Sequence, residues 1–159
     1  MKNLSKIGIA LLFVAWGFST ANAQQSLKED EARRVAEVKK LVDQNDYVFE
    51  AERADFRKHS TPLKYHNFFV AMSKDTLLVC LPLKKSGLVK FDIANQAYYY
   101  YKQVNDDGSI NISIVPKSTI SDVKELKIDV TPEGQASVNV FRKGRGPLSF
   151  DGYIKQEDY

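Results

Sequence analysis

Four consecutive tyrosines, Tyr98, Tyr99, Tyr100 and Tyr101, are the part of this sequence best suited to holding a ligand. Successive side chains of an extended chain point to opposite faces, so a strand here must present two phenol rings on each side. Such rings can stack on a sugar, a peptide or a lipid. They can equally be ordinary cross-strand aromatics outside and core rings inside, with their hydroxyls at the rim. Arg142, Lys143 and Arg145 crowd a connection that also contains Gly144 and Gly146. Their donors suit a phosphate, a carboxylate or an anionic headgroup, and a solvated hairpin loop accounts for them as simply. Tyr98 to Tyr101 with Arg142 and Arg145 are therefore the candidate ligand-binding residues.

Catalytic chemistry finds less support. Cys80 is the only cysteine, and His59 and His66 are the only histidines. A Cys80 and His66 dyad would need a substrate to reach a thiol inside Thr76-Leu77-Leu78-Val79-Cys80-Leu81, a run apolar at both parities, which reads as a strand covered on both faces. No cysteine or histidine pair has a metal-ligand spacing, and Asp106-Asp107 lacks the regularly spaced acids of a calcium loop. There is no glycine-serine nucleophile elbow and no phosphate loop. The expectation is a non-enzymatic protein without a metal or cofactor. Asp75-Thr76-Leu77 matches a short O-glycosylation signal, which makes Thr76 a candidate for modification, although a turn running into a strand accounts for it too.

These residues need elements to position them. From Ser26 to about Gln44, Ala32, Val35, Val38, Leu41 and Val42 recur at helical spacing beside a charged face, and Ser26 with Glu29 has the spacing of a capping box. After Asp46 the period changes to two. Tyr47, Phe49 and Ala51 alternate with Val48, Glu50 and Glu52; Phe68, Val70 and Met72 follow, then Thr76 to Leu81, Leu88 to Ile93 and Ala97 to Val104. Ile110, Ile112 and Ile114, then Leu126, Ile128 and Val130, then Ala136, Val138 and Val140, and finally Leu148, Phe150 and Ile154 share inward faces. Asn105 to Gly108 and Thr131 to Gly134 have the composition of tight turns with a glycine at the fourth position. His59 to Pro62 reads as a loop. The pattern is an antiparallel meander of about eight or nine strands preceded by one amphipathic helix. Such a sheet either closes into a small barrel, the first expectation, or stays open and strongly curved with the helix across its concave face.

The compartment is read from the first 23 residues. Lys2 and Lys6 precede the uncharged apolar run Ile7 to Phe18, and Ala21-Asn22-Ala23 offers small residues for cleavage between Ala23 and Gln24. The run is shorter than the ~20 residues of a membrane-spanning helix, and no cysteine follows for lipid attachment. The expected product is periplasmic or secreted, with a signal peptide (1–23), an N-terminal helical segment (24–46) and a β domain (47–159) that forms one unit with the helix. Loss of Lys2 and Lys6 takes the formal charge from +3 to +1, which does not point to nucleic acid. A single cysteine excludes an internal disulfide, so the core alone must hold the fold.

The order of Tyr47 to Ala54, Asp75 to Pro82, Lys90-Phe91-Asp92 and Arg145-Gly146-Pro147-Leu148-Ser149-Phe150-Asp151-Gly152-Tyr153-Ile154 resembles a family of secreted proteins of Gram-negative gut and oral bacteria known as domain of unknown function 4251. The resemblance covers nearly all of the chain after residue 23. It implies a leader, a helix and a lipocalin-like half-barrel, and it carries no activity. Leu83-Lys84-Lys85-Ser86-Gly87 is short and basic where members of that family often have a longer glycine-rich and aromatic insert. Two functions are consistent with these readings: binding of a small apolar or amphipathic ligand, or service as a protein interaction or scaffold module of the cell envelope.

Overall fold

The computed structural model describes residues 28–56, 59–63, 68–74, 76–82, 98–117 and 122–156. The expected leader with its Ala23–Gln24 cleavage point, the Ser26 cap, His66 and the Leu88 to Ile93 segment lie outside the described residues.

Among the described residues a helix, α1 (28–43), precedes nine strands: β1 (Asp46–Phe56), β2 (His59–Pro62), β3 (Phe69–Ser73), β4 (Thr76–Cys80), β5 (Tyr98–Val104), β6 (Ile110–Pro116), β7 (Val123–Val130), β8 (Gln135–Arg142) and β9 (Arg145–Lys155). They form one curled antiparallel sheet in the order β4-β3-β1-β9-β8-β7-β6-β5, with β2 paired to β1. Of the two arrangements open to the sequence, the half-barrel is the one observed. The first strand does join the last, through Phe49 beside Ile154 and Ala54 beside Phe150, so β1 is paired on both sides. The break in the ladder falls between β4 and β5, which end the strand order among the described residues.

The inward faces are those the period of two requires. Ile110, Ile112, Ile114, Leu126, Ile128, Val130, Val138, Val140 and Phe150 are all buried and join one core with Tyr47, Phe49, Val70, Met72, Leu77 and Val79. Two hairpins are built alike. In β5–β6 the Gly108 amide donates to the Asn105 carbonyl, and in β7–β8 the Gly134 amide donates to the Thr131 carbonyl, each at 3.0 Å. Both glycines have positive φ, 83° and 89°, a region that costs other residues steric energy.

Only the second half of the helical stripe is used. Val38, Leu41 and Val42 are buried in the core, Val35 is half-buried and Ala32 is exposed. The helix lies across one end of the half-barrel. Arg34 donates to the Glu133 carbonyl at 3.5 Å, and Asp43 pairs with Lys102 of β5 at 2.8 Å. Val38 occupies the space where Gly134 lacks a side chain.

One sequence reading is corrected. His59 to Pro62 is a strand, not a loop, with Ser60 opposite Asp55 and Thr61 opposite Ala54. Arg53 holds it from the neighbouring strand by donating to Ser60 Oγ from Nε and Nη2, at 3.2 and 2.9 Å. Proline is tolerated because it ends the strand.

Candidate functional site

The tyrosine run forms the start of β5 and divides as alternation requires. Tyr98 and Tyr100 turn inward and pack against the core. Tyr99 and Tyr101 turn outward, 51 % and 60 % exposed, with ring centroids 6.5 Å apart and planes at 27°. Lys117 Nζ lies 4.6 Å from the centre of the Tyr99 ring, a cation–π contact.

The inner pair meets the opposite side of the sheet across the break in the ladder. Tyr98 donates from its hydroxyl to Met72 Sδ of β3 at 3.5 Å. Tyr100 approaches Tyr47 of β1, whose side chain is fully buried. Both the Tyr47 and Tyr100 hydroxyls are buried; they interact with each other, and neither has a hydrogen-bond partner of good geometry. A buried hydroxyl left unpaired costs about 1–3 kcal/mol, so two that have no well-formed bond at one seam are a marked feature. Tyr47 was legible in the sequence only as an inward strand residue. The available signal was chemical: a tyrosine on an otherwise apolar face brings a hydroxyl that needs a partner.

Burial raises the Tyr47 phenol well above its ordinary value of 10, and the neighbouring Tyr100 raises it further. Burial also raises Tyr100, with the Tyr47 hydroxyl pulling the other way. The folded protein thus keeps a proton on Tyr47 that the unfolded chain releases near pH 10. The stability this supplies is complete below that pH and is lost as pH climbs from there through the folded-state value. Tyr47→Phe should remove a slope of about 1.4 kcal/mol per pH unit from the alkaline limb. At neutral pH it should leave stability unchanged or raise it by about 1 kcal/mol, because the hydroxyl removed is buried without a well-formed hydrogen bond. Urea unfolding at about pH 7 and between about pH 9 and about pH 11 checks both, and an alkaline limb identical to the wild type's would sink the assignment.

The basic residues do not join the tyrosines. Arg142 lies opposite Arg145 where β8 turns into β9 through Lys143 and Gly144, whose φ is 63°. β6 and β7 separate that hairpin from β5. The Arg142 Nε is buried without a partner, and Arg145 is exposed. Thr76 is exposed at the start of β4, opposite Ser73. Cys80 is buried, and the dyad partner weighed for it, His66, is outside the described residues. Asp107 accepts from the Ser109 amide and hydroxyl at 2.9 and 2.6 Å, bonds that hold its carboxyl below the usual range and shape the turn. Among the described residues no group of three or more histidine, cysteine or acidic side chains could hold a metal ion, and no helix is long and apolar enough to cross a membrane.

Comparison with known proteins addresses the family. No curated protein matches the chain in sequence. The fold is similar to the crystal structure of a DUF4251 family protein from Bacteroides eggerthii DSM 20697, with a TM-score of 0.64 and 13 % identity over 79 % of this chain and 89 % of that one. At that identity the likeness is one of fold. The sequence pattern of the family described as Domain of unknown function (DUF4251) matches residues 29–154, from the helix to the last strand. The chain therefore belongs to the DUF4251 family.

Proposed function

We propose that the protein is a non-catalytic binding protein of the periplasm or extracellular space, sent there by its 1–23 leader, that takes a small amphipathic ligand at the tyrosine seam. The observation that carries this reading is the pair of buried hydroxyls on Tyr47 and Tyr100, which face each other without a well-formed hydrogen bond beside the break between β4 and β5. A ligand with one polar group would satisfy both phenols while its apolar part lies against Met72 and Tyr98. Arg142 and Arg145 have no part in this site, since two strands lie between. A second reading, a cell-envelope interaction or scaffold module, is favoured by an interior filled with side chains such as Phe49, Phe150, Ile112 and Leu126, all fully buried.

The test is native mass spectrometry of the 24–159 chain from its host's envelope fraction, beside the same sample denatured. Extra mass that is lost on denaturation, and missing from a Tyr47→Phe/Tyr100→Phe variant, is the expected result. A bare monomer mass in both conditions overturns the ligand reading in favour of the scaffold. Extra mass that survives denaturation also overturns it, and directs attention to covalent modification, with Thr76 the first position to map.

A further inference from the structure

The convex face of the sheet, on the other side from the tyrosine seam, presents a second and chemically different surface. Tyr99 and Tyr101 are two of the three large hydrophobic side chains exposed among the described residues. Tyr101 borders a hollow of about 410 Å³ that Asn111, Ser113, Glu125, Lys127 and Asp129 also line. A larger hollow of about 670 Å³ shares Asn111 and Asp129 and continues to Ser137, Asp151 and Tyr153. The two adjoin at Asn111 and Asp129 as one trough, with Tyr101, stacked on Tyr99, at one end and Tyr153 at the other.

Strand register explains why polar side chains recur along the trough. One row of outward residues runs Asn111, Asp129, Ser137, Asp151 across β6 to β9. The next runs Tyr101, Ser113, Lys127, Asn139, Ser149 across β5 to β9. Neighbouring strands lie about 4.8 Å apart, so the first row alone extends about 15 Å. Its side chains hold one another in place. Asn105 Nδ2 donates to Asn111 Oδ1, and Asn111 Nδ2 donates to Asp129 Oδ1, both at 2.6 Å. Ser113 donates to Glu125 at 2.7 Å and Ser149 to Asn139 at 2.8 Å. Groups fixed in this way lose little freedom when a ligand binds.

We infer that this trough is a carbohydrate site that takes a short chain of neutral or amino sugars. A pyranose has an apolar face that stacks on a tyrosine ring and an edge of hydroxyls that bonds carboxylates, amides and serine hydroxyls; the trough supplies both along one line. Charge separates this ligand from others. Across both hollows Glu52, Glu125, Asp129 and Asp151 stand against Arg34, Lys102 and Lys127, so there is no excess of positive charge to attract nucleic acid or polyuronate chains. A wholly apolar lipid tail would take Asn111, Ser113, Asp129, Ser137 and Asp151 out of water along its length and offer them no partner.

An array of neutral, amino-sugar and uronic-acid oligosaccharides, with synthetic peptides printed beside them, tests the assignment on the 24–159 chain. The expected result is binding to neutral or amino-sugar chains that Tyr101→Ala weakens about tenfold or more. Asp129→Ala should weaken it similarly. The Tyr47→Phe/Tyr100→Phe variant should leave it unchanged, which separates this site from the seam. Tyr101 is exposed, so an unaltered melting temperature is expected and shows that the loss is local. Failure of the wild type to bind neutral or amino sugars, wild-type binding by both trough variants, or preference for the peptides overturns the inference.

Discussion

Replacing Gly152 with alanine should cost this protein about 3–5 kcal/mol, among the largest losses a single methyl group can cause. Gly152 sits in β9 between Ala136 of β8 and Ala51 of β1. The register of β1 against β9 shifts between Ala51 and Arg53, a bulge that brings the β1 backbone close. A Cβ on Gly152 would fall on the Glu50 carbonyl oxygen and lie 2.8 Å from the Glu50 carbonyl carbon. Backbone cannot move aside as a flexible side chain can, so the ladder joining the first strand to the last must open. Gly146→Ala is the control, because a Cβ there meets nothing within 4 Å. Its expected effect is within about 0.5 kcal/mol. Calorimetry should show a fall of about 10–20 °C in Tm for Gly152→Ala. A fall of a degree or two would mean that β1 and β9 do not pair in this register.

Phe49→Ala is expected to cost about 3–5 kcal/mol by a different route. Phe49 is fully buried on the inner face of β1, opposite Val70 of β3 and Ile154 of β9. It thus sits where the hairpin side of the half-barrel meets the long meander. Truncation leaves a cavity bounded by three strands of one sheet, whose ladders prevent it from collapsing. Urea unfolding should show a lower midpoint with an unchanged denaturant slope. Tyr99→Ala removes a comparable ring from the exposed face of β5 and should change stability by no more than about 0.5 kcal/mol. Equal losses from the two substitutions would contradict the assignment of inner and outer faces.

These expectations differ in how much of them could be read before folding. Alternation is a local property, since neighbouring side chains in a strand must face opposite ways, and so the split of Tyr98 and Tyr100 from Tyr99 and Tyr101 was legible in the sequence. The glycines at positions 108 and 134 were legible for the same reason, because turn geometry is set within four residues. His59 to Pro62 was misread as a loop because four residues hold too little pattern, and what makes them a strand is pairing with β1.

Local pattern therefore determined the helix, nearly every strand and the face each side chain takes. It could not determine which strands are neighbours, because hydrogen bonds between strands join residues far apart in the chain and leave no period in it. Tertiary pairing alone set Phe49 beside Ile154 and pressed Gly152 onto Glu50. It also brought Tyr47 to Tyr100 across the break between β4 and β5, and kept Arg142 and Arg145 two strands away from the tyrosines with which the sequence had grouped them.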